Sequence, residues 1–427
     1  MRSLLVLSAF LLAACWSERA FTDACVDAGH CRVDDAGSTG SGVGGASGGG
    51  GGAVTGGGGG VTGGGGGSVT GGGGGGFVSD GGALTWVEVA AELFDVPTGL
   101  DAGFVLEFVP AGSLGQWVGG VLTPSGDVLC IPYNASDVLR VSPTRVVTPI
   151  PHGAPGYGWE GGVLLEDGGV LGLPYDANSF LSLTGPTVFV IDAGLPRAGA
   201  PMSAYFEGGV ITLSQKVLLA PYYGSFPGVF DPASGELTLL DGGFPPQISA
   251  NATYSGAVLR ADGESAYLIP RYATRLMLVT PTAASIVGTS PVDGHAGGLL
   301  LPSGSILLMP ADSRPFVIFD GTTATAMTTS SSYFSAAWST NGYGYAIQNQ
   351  VSGGARVAII DRFGAVSEVR LQADAGVSSN SHYGLVTMAN GIIVGCPYSS
   401  TDVLFLVPHE RRDVSLRAMT SPWLNKW

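Results

Sequence analysis

The sequence predicts an all-β fold, a seven-bladed β-propeller of four-stranded antiparallel blades, from three observations. One frame recurs seven times. It begins with a residue pair that is Gly-Gly in four copies and that we call the glycine pair, followed by two mostly apolar residues, a polar turn and an apolar run that ends on proline in six copies. By subtraction, the copies lie 38 to 49 residues apart, with the second residue of the pair at 120, 162, 209, 257, 298, 336 and 385. The apolar runs are short, β-branched and separated by glycine turns, which is typical of propeller strands and not of helical repeats.

The first copy shows how one blade is built. We predict that Val121 and Leu122 lie on the inner strand, residues 128–133 on the second strand, 138–141 on the third and 145–149 on the outer edge. A Pro-Ser-Gly turn joins the first two strands, and equivalent turns return in four later copies. The paired glycines are expected where the inner strands converge on the axis, because a side chain there would crowd the next blade.

Closure of the ring requires a strand from the far end of the chain. Residues 104–110 stand before the first Gly-Gly as a fourth strand stands before each later one. We therefore predict that they form the edge strand of blade 7, and residues 414–419 compete for that role. The segments 84–90 and 423–427 are expected to pack outside the ring.

The N-terminus carries a targeting signal, predicted to be a lipoprotein signal peptide over residues 1–14. Arg2 supplies a positive charge, residues 4–12 are apolar, and the sequence Leu-Ala-Ala-Cys ends at Cys15. This ending resembles the lipobox of bacterial lipoproteins, which implies that Cys15 is acylated and becomes the first mature residue. Trp16 stands where an aspartate would signal inner-membrane retention, so we expect a surface-exposed outer-membrane protein. An ordinary secretory signal with an incidental Cys15 is the alternative.

Two segments separate this signal from the propeller, which is assigned to residues 81–427. In residues 15–37, Cys25 and Cys31 are expected to close a small disulfide loop, as exported proteins meet an oxidising compartment. A metal site from these cysteines and His30 is the weaker alternative, because it lacks a fourth ligand. Residues 38–80 are dominated by glycine and are predicted to form a disordered linker.

Charge and hydropathy limit the partners. The chain has 18 basic and 33 acidic residues, a net charge of −15, so it repels phosphate backbones and is not expected to bind nucleic acid. Only 12% of residues are charged and 45% are hydrophobic, which suits many buried strands. After the signal no stretch of 18 uninterrupted apolar residues occurs, so membrane association is expected through the lipid anchor alone, and a monomer is expected.

The repeat resembles the YVTN and NHL-type propeller repeats of bacterial surface proteins over residues 104–417. The resemblance rests on an aspartate turn after an apolar strand, seen at Asp192, at Asp231 in the run FDPASGELTLL, at Asp320 and at Asp361. It implies that these aspartates lie between the third and fourth strands, and it implies a fold but no activity. Blade 6 departs most from the pattern.

Aromatic residues recur at positions that we expect around one mouth of the channel. Three residues before the second position of each glycine pair stands a ring, namely Trp117, Trp159, Phe206, Tyr254, His295, Tyr333 and His382. After the strand-ending prolines come Tyr133, Tyr175, Tyr222, Tyr272 and Tyr398. Such rings suit stacking on sugars or peptides, but packing of blade on blade is the favoured interpretation for most of them.

Acidic residues suggest a second function. Glu160 and Glu207 follow ring residues in adjacent blades, and related propeller hydrolases hold Ca²⁺ or Zn²⁺ in the channel with such carboxylates. The equivalent positions elsewhere carry no acid, so the ligand set is incomplete. No G-x-S-x-G nucleophile motif is in place, and His295 and His382 stand two blades apart without a fixed partner.

Cys130 and Cys396 fall on the second strands of blades 1 and 7, which become neighbours when the ring closes. A disulfide is conceivable, but their positions relative to the proline differ by one, so they point to opposite sheet faces. Two buried thiols are the favoured interpretation.

The leading hypothesis is a membrane-anchored propeller without catalytic activity or cofactor, which binds a protein, peptide or glycan at its aromatic face. The alternative is a hydrolase, lactonase or lyase that uses a channel metal. A third hypothesis is a structural spacer or adhesin.

Overall fold

The computed structural model describes residues 102–420 except 154–157, 186, 196–204, 223–225, 241–252, 290–291, 313, 349–354 and 373–375. These residues form seven four-stranded antiparallel sheets, which confirms the predicted seven-bladed β-propeller. Cys15, Cys25 and Cys31, the linker and the segments 84–90 and 423–427 lie outside the described residues. Within the described part, no helix is long and apolar enough to cross a membrane.

Each blade consists of four strands, and the inner strand comes first in the chain. Blade 1 comprises β2 (Trp117–Leu122), β3 (Val128–Pro132), β4 (Asp137–Val141) and β5 (Val147–Pro151). Blade 2 comprises β6 (Trp159–Leu164), β7 (Val170–Pro174), β8 (Ser179–Thr184) and β9 (Thr187–Asp192). Blade 3 comprises β10 (Phe206–Ile211), β11 (Val217–Pro221), β12 (Gly228–Asp231) and β13 (Glu236–Leu239). Blade 4 comprises β14 (Tyr254–Leu259), β15 (Ala266–Pro270), β16 (Leu276–Val279) and β17 (Ala284–Val287).

The remaining blades follow the same order. Blade 5 comprises β18 (His295–Leu300), β19 (Ile306–Pro310), β20 (Pro315–Phe319) and β21 (Ala324–Ser330). Blade 6 comprises β22 (Tyr333–Trp338), β23 (Gly344–Gln348), β24 (Arg356–Ile360) and β25 (Val366–Arg370). Blade 7 comprises β26 (His382–Thr387), β27 (Ile393–Pro397), β28 (Asp402–Pro408) and β1 (Phe104–Pro110).

Ring closure occurs as predicted. β1 pairs antiparallel with β28 over its whole length, from Phe104 opposite Pro408 to Pro110 opposite Asp402. The competing segment instead ends in a short helix, α1 (Leu416–Met419). Leu416 packs into the core between blades 7 and 1.

Two boundaries differ from the prediction. The outer strand of blade 1 begins at Val147, not at 145, because Arg145 takes a left-handed turn conformation with φ of 65°. Asp192 ends the fourth strand of blade 2 and does not lie between its third and fourth strands, which turn near Gly185. The aspartate turns at Asp231, Asp320 and Asp361 do lie there, and each carboxylate accepts backbone N–H groups of its own turn.

The core is divided into seven hydrophobic clusters, one between each pair of neighbouring blades. Successive residues of a strand point to opposite faces of its sheet, so they enter different clusters. In β3, for example, Cys130 packs toward blade 7 and Ile131 packs toward blade 2. Each blade is therefore buried on both faces.

Cys130 and Cys396 form a disulfide, which corrects the expectation of two buried thiols. The two cysteines do lie on opposite faces of their sheets. In a closed ring, however, neighbouring blades pack front to back. The front face of one sheet therefore contacts the back face of the next, and residues on opposite faces of blades 7 and 1 can touch. The bond joins blades 7 and 1 across a sequence separation of 266 residues, at the same seam that β1 closes.

Every inner strand contains a β-bulge at the glycine pair. In blade 1 the pairing jumps from Trp117–Pro132 to Gly120–Cys130, so Val118 and Gly119 together oppose one residue. The first glycine has φ of 73°, a conformation that L side chains avoid. The expected crowding at the axis is also present, since a Cβ on Gly384 would lie 2.3 Å from the Cα of Gly119 in the next blade.

Candidate functional site

The bulges determine which side chains stand beside the channel axis. A bulge changes the direction of the side chain that it displaces, and the first residue of each is Val118, Glu160, Glu207, Ser255, Ala296, Phe334 or Tyr383. Blades 1, 4 and 5 place small, buried residues there. Blades 2, 3, 6 and 7 place acidic or aromatic residues that keep part of their surface open.

A second set of side chains follows the second strand of each blade, at the channel end that we call the mouth. The backbone N–H of this residue donates to the carbonyl that precedes the inner strand, at 2.9 Å from Tyr133 to Gln116 and 2.8 Å from Tyr175 to Gly158. Tyr222, Arg271, Ala311 and Tyr398 repeat this bond. The repeated bond fixes the position of the backbone, while the side chain differs between blades.

Six aromatic rings from these two sets form a continuous chain around the mouth. Neighbouring ring centroids in this chain are 5.3, 5.9, 6.1, 4.4 and 5.0 Å apart. All six residues are half-buried and keep part of their surface exposed to solvent. We call this set the aromatic crown; in order its members are Tyr222, Tyr175, Tyr133, Tyr398, Tyr383 and Phe334.

The rings that precede the bulges are placed differently from the crown. All seven are buried, and the most open of them, His382, is 8% exposed. This corrects the expectation that their tips line the mouth, and it supports blade packing for Trp117, Trp159, Phe206, Tyr254, His295, Tyr333 and His382.

Four of the buried rings make the same hydrogen bond within their blade. The ring N–H of Trp117 donates to the carbonyl of Asp137 at 2.8 Å, and that of Trp159 donates to Ser179 at 2.7 Å. Nε2 of His295 and of His382 reaches the carbonyl at the same spacing of 20 residues. Because a carbonyl can only accept, each Nε2 carries the proton, and histidine replaces tryptophan as a structural donor.

Burial keeps these histidines neutral. It lowers the pKa of His382 to about 4, and it lowers the pKa of His295 as well. Among the residues that the structure describes, no three His, Cys, Asp or Glu side chains lie close enough together to hold a metal ion.

Three carboxyl groups, those of Glu160, Glu207 and Asp176, act electrostatically on the crown residues of blades 1 and 2. Burial raises the pKa of Glu160 well above its ordinary value, and the negative charges of Glu207 and Asp176 raise it further. Burial also raises the pKa of Glu207 to about 7, although a hydrogen bond from Ser255 at 2.6 Å and the charge of Arg271 act in the other direction. The two glutamates therefore lie close enough to affect each other's ionisation.

The carboxyl groups also act on the crown. The hydroxyl of Tyr133 donates to Asp176 at 3.3 Å. Burial together with Glu160 and Glu207 raises the pKa of Tyr175, so this phenol stays protonated. No hydrogen-bond donor from the described part of the chain reaches the carboxyl group of Glu160.

Arg271 occupies the opposite half of the mouth. Its guanidinium bonds Asp312 of blade 5 at 3.0 Å and lies 5.0 Å from the ring centroid of Phe334 in blade 6. Blade 5 carries the buried alanines Ala296 and Ala311 at its two mouth positions. Because these side chains are small, the side chain of Arg271 can extend from blade 4 across blade 5 to Phe334 in blade 6.

The sequence pattern pointed to Tyr272 as the aromatic residue after Pro270 and did not indicate Arg271. The residue directly after the proline is Arg271, whereas Tyr272 is 53% exposed and lies outside the crown. Counting one residue from each proline would have found the arginine. Asp176 and Ser255 carry no such signal, since their roles depend on contacts between blades.

Comparisons with known proteins identify the fold. No protein-family model matches the chain, and no curated protein matches it. Virginiamycin B lyase from Staphylococcus aureus is similar in structure, with a TM-score of 0.59 and 12% identity over 71% of this chain and 99% of that one. A streptogramin B lyase structure has the same TM-score and identity, over 73% and 100% of the two chains. Kuenenia stuttgartiensis hydrazine synthase has a TM-score of 0.52 and 11% identity, over 73% and 99%. At such identities the likeness shows the propeller fold alone.

Proposed function

We propose that this seven-bladed β-propeller is a non-catalytic binding module, displayed on the bacterial envelope, whose ligand site is the aromatic crown. The observation that carries the proposal is the contrast between two sets of rings. The rings before the bulges are buried, and four of them are hydrogen-bonded within their blades. The crown rings are half-buried, contiguous and partly exposed, which suits stacking on a planar or cyclic ligand.

A panel of sugars, short peptides, amines, Ca²⁺ and Zn²⁺ tests the proposal by thermal shift, with mass spectrometry of each compound after incubation. We expect at least one organic class to raise the Tm of the protein and to be recovered unchanged. Tyr175→Leu should weaken that shift, whereas Phe363→Leu, which alters an exposed ring on an outer turn, should not. Shifts that are equal in both variants would place the binding site elsewhere.

Display on the envelope rests on the lipobox-like sequence that ends at Cys15 and on the glycine-rich linker. The Cys130–Cys396 disulfide supports export, because such bonds persist in oxidising compartments. In cells, the protein is expected in the outer-membrane fraction with a labelled acyl chain. Cys15→Ser should abolish the label, and a soluble, unlabelled parent protein would contradict the anchor.

A metal-dependent hydrolase, lactonase or lyase is the alternative function. It is favoured by the proximity of Glu160 and Glu207, whose carboxylates are suitable ligands for a divalent cation. The same fold carries a lyase in the protein from Staphylococcus aureus. In the panel, stabilisation by Ca²⁺ or Zn²⁺ together with conversion of a compound to product would favour this alternative and contradict the non-catalytic module.

A further inference from the structure

The half of the mouth formed by blades 7, 1, 2 and 3, which we call the tyrosine half, has an excess of acidic over basic side chains. Glu160, Glu207 and Asp176 lie on blades 2 and 3, and they act electrostatically on crown tyrosines. Arg271 of blade 4 acts on Glu207, and its guanidinium is bonded to Asp312 at 3.0 Å. Within the described part of the chain, Glu160 has no such cation among the causes of its pKa shift.

The aromatic faces add to this field. The face of an aromatic ring carries partial negative charge, which attracts an ammonium group that lies over it. Tyr133, Tyr175 and Tyr222 follow one another with ring centroids 5.9 and 5.3 Å apart, and all three keep part of their surface exposed. Glu160 acts electrostatically on both Tyr133 and Tyr175, so its carboxyl group lies within reach of the same space.

We infer that this half of the mouth binds an organic ammonium group, with Tyr133, Tyr175 and Tyr222 as its aromatic walls and Glu160 as its counter-ion. The inference rests on the proposed function, since it names the ligand class of the same site. A quaternary or substituted ammonium suits the site better than a metal ion. It gains from ring faces, and it needs one carboxylate instead of several oxygen ligands.

The arrangement also explains why an unpaired carboxyl group is kept there. A buried carboxylate without a donor or cation is costly, and such a group holds its proton instead. Burial and neighbouring acids raise the pKa of Glu160 accordingly. A bound ammonium would supply the missing positive charge.

Two probes of equal shape test the inference. Choline carries a positively charged quaternary nitrogen, and 3,3-dimethylbutan-1-ol has an uncharged quaternary carbon in its place. Each is titrated by calorimetry at pH 7 into the detergent-solubilised full-length protein. We expect choline to bind about ten- to thirtyfold more tightly, the ratio that a desolvated cation–aromatic contact supplies.

Matched variants assign the effect to the site. Glu160→Gln should remove most of the preference for choline, whereas Glu236→Gln, which removes a charge from the exposed edge strand β13, should leave it unchanged. Equal affinities for the two probes, or no binding of choline, would overturn the inference. With either result, the proposed function still holds if another class of compound in the panel binds the crown. The comparison of the two probes uses the parent protein, so it does not depend on a variant that could fail to fold.

Discussion

The two halves of the channel mouth use one backbone position for different side chains. In blades 7, 1, 2 and 3 the residue after the second strand is always a tyrosine, whereas blades 4 and 5 carry Arg271 and Ala311. The backbone hydrogen bond that holds this residue is the same in both halves. The fold accepts tyrosine, arginine and alanine there, so the backbone does not require a tyrosine, and under the proposed function the tyrosines form the ligand-binding surface.

The halves also differ in charge. Glu160 and Glu207 lie with the tyrosines, and Arg271 lies with the alanines of blade 5. Every blade has the same bulge, which places one side chain beside the axis. The backbone therefore does not require the acidic residues and the arginine to lie on different blades. Acidic groups on blades 2 and 3, with a cation that extends from blade 4 toward blade 6, would give a charged ligand a preferred orientation.

The largest expected effect concerns the seam of the ring, which lies in the tyrosine half. Cys130→Ala with Cys396→Ala removes the bond between blades 7 and 1 and should lower the free energy of unfolding by about 4 kcal/mol. Urea unfolding measures this loss. Hydrogen exchange should rise more in blades 7 and 1 than in blades 4 and 5.

The control for the seam is the parent protein treated with reductant, which should unfold like the double variant. A loss below about 1 kcal/mol would show that β1 holds the seam without the disulfide.

A smaller effect is expected when the tyrosine pattern is copied into the other half. Ala311→Tyr introduces a ring where Ala311 is fully buried, next to the Asp312 that pairs with Arg271. Overpacking of this kind costs about 1 to 3 kcal/mol, measured by urea unfolding, and Ala311→Ser should cost less. A fully stable Ala311→Tyr would show that packing does not separate the halves.

Much of this architecture could be predicted from the sequence, because the determinants are local. The glycine pair, the turn and the strand-ending proline lie within about twenty residues of one another, so each copy identifies its own blade. The role of Phe104–Pro110 followed from the same frame, since it precedes the first glycine pair as other fourth strands precede later pairs.

What could not be predicted depends on contacts between blades. The pairing of Cys130 with Cys396 was misjudged because faces were compared within one sheet, although the relevant contact joins two sheets. The reach of Arg271 to Phe334 spans two blades and depends on small residues in the blade between them. The shared bond of Trp117 and His382 was detectable, since each acceptor lies 20 residues after its ring.

The last expected effect depends on pH and concerns ionisation in the tyrosine half. The pKa of Glu207 is raised from 4.5 to about 7 on folding, so between these values the unfolded chain releases a proton that the folded protein keeps. The free energy of unfolding should therefore fall as pH rises through this window. Glu207→Gln cannot ionise, and it should be more stable than the parent by about 3 kcal/mol at pH 8 and equal to it at pH 4.

Urea unfolding of parent and variant at pH 4, 6 and 8 measures this difference. His382 has the opposite effect, because its lowered pKa makes the free energy of unfolding decrease as pH falls from 6.5 toward 4. This effect is the same in parent and variant, so it cancels in the difference between them. Glu236→Gln, on an exposed edge strand, should follow the parent at every pH. If Glu207→Gln also follows the parent, Glu207 ionises as freely as a surface carboxyl group, and the mouth lacks the concentrated negative charge that distinguishes its two halves.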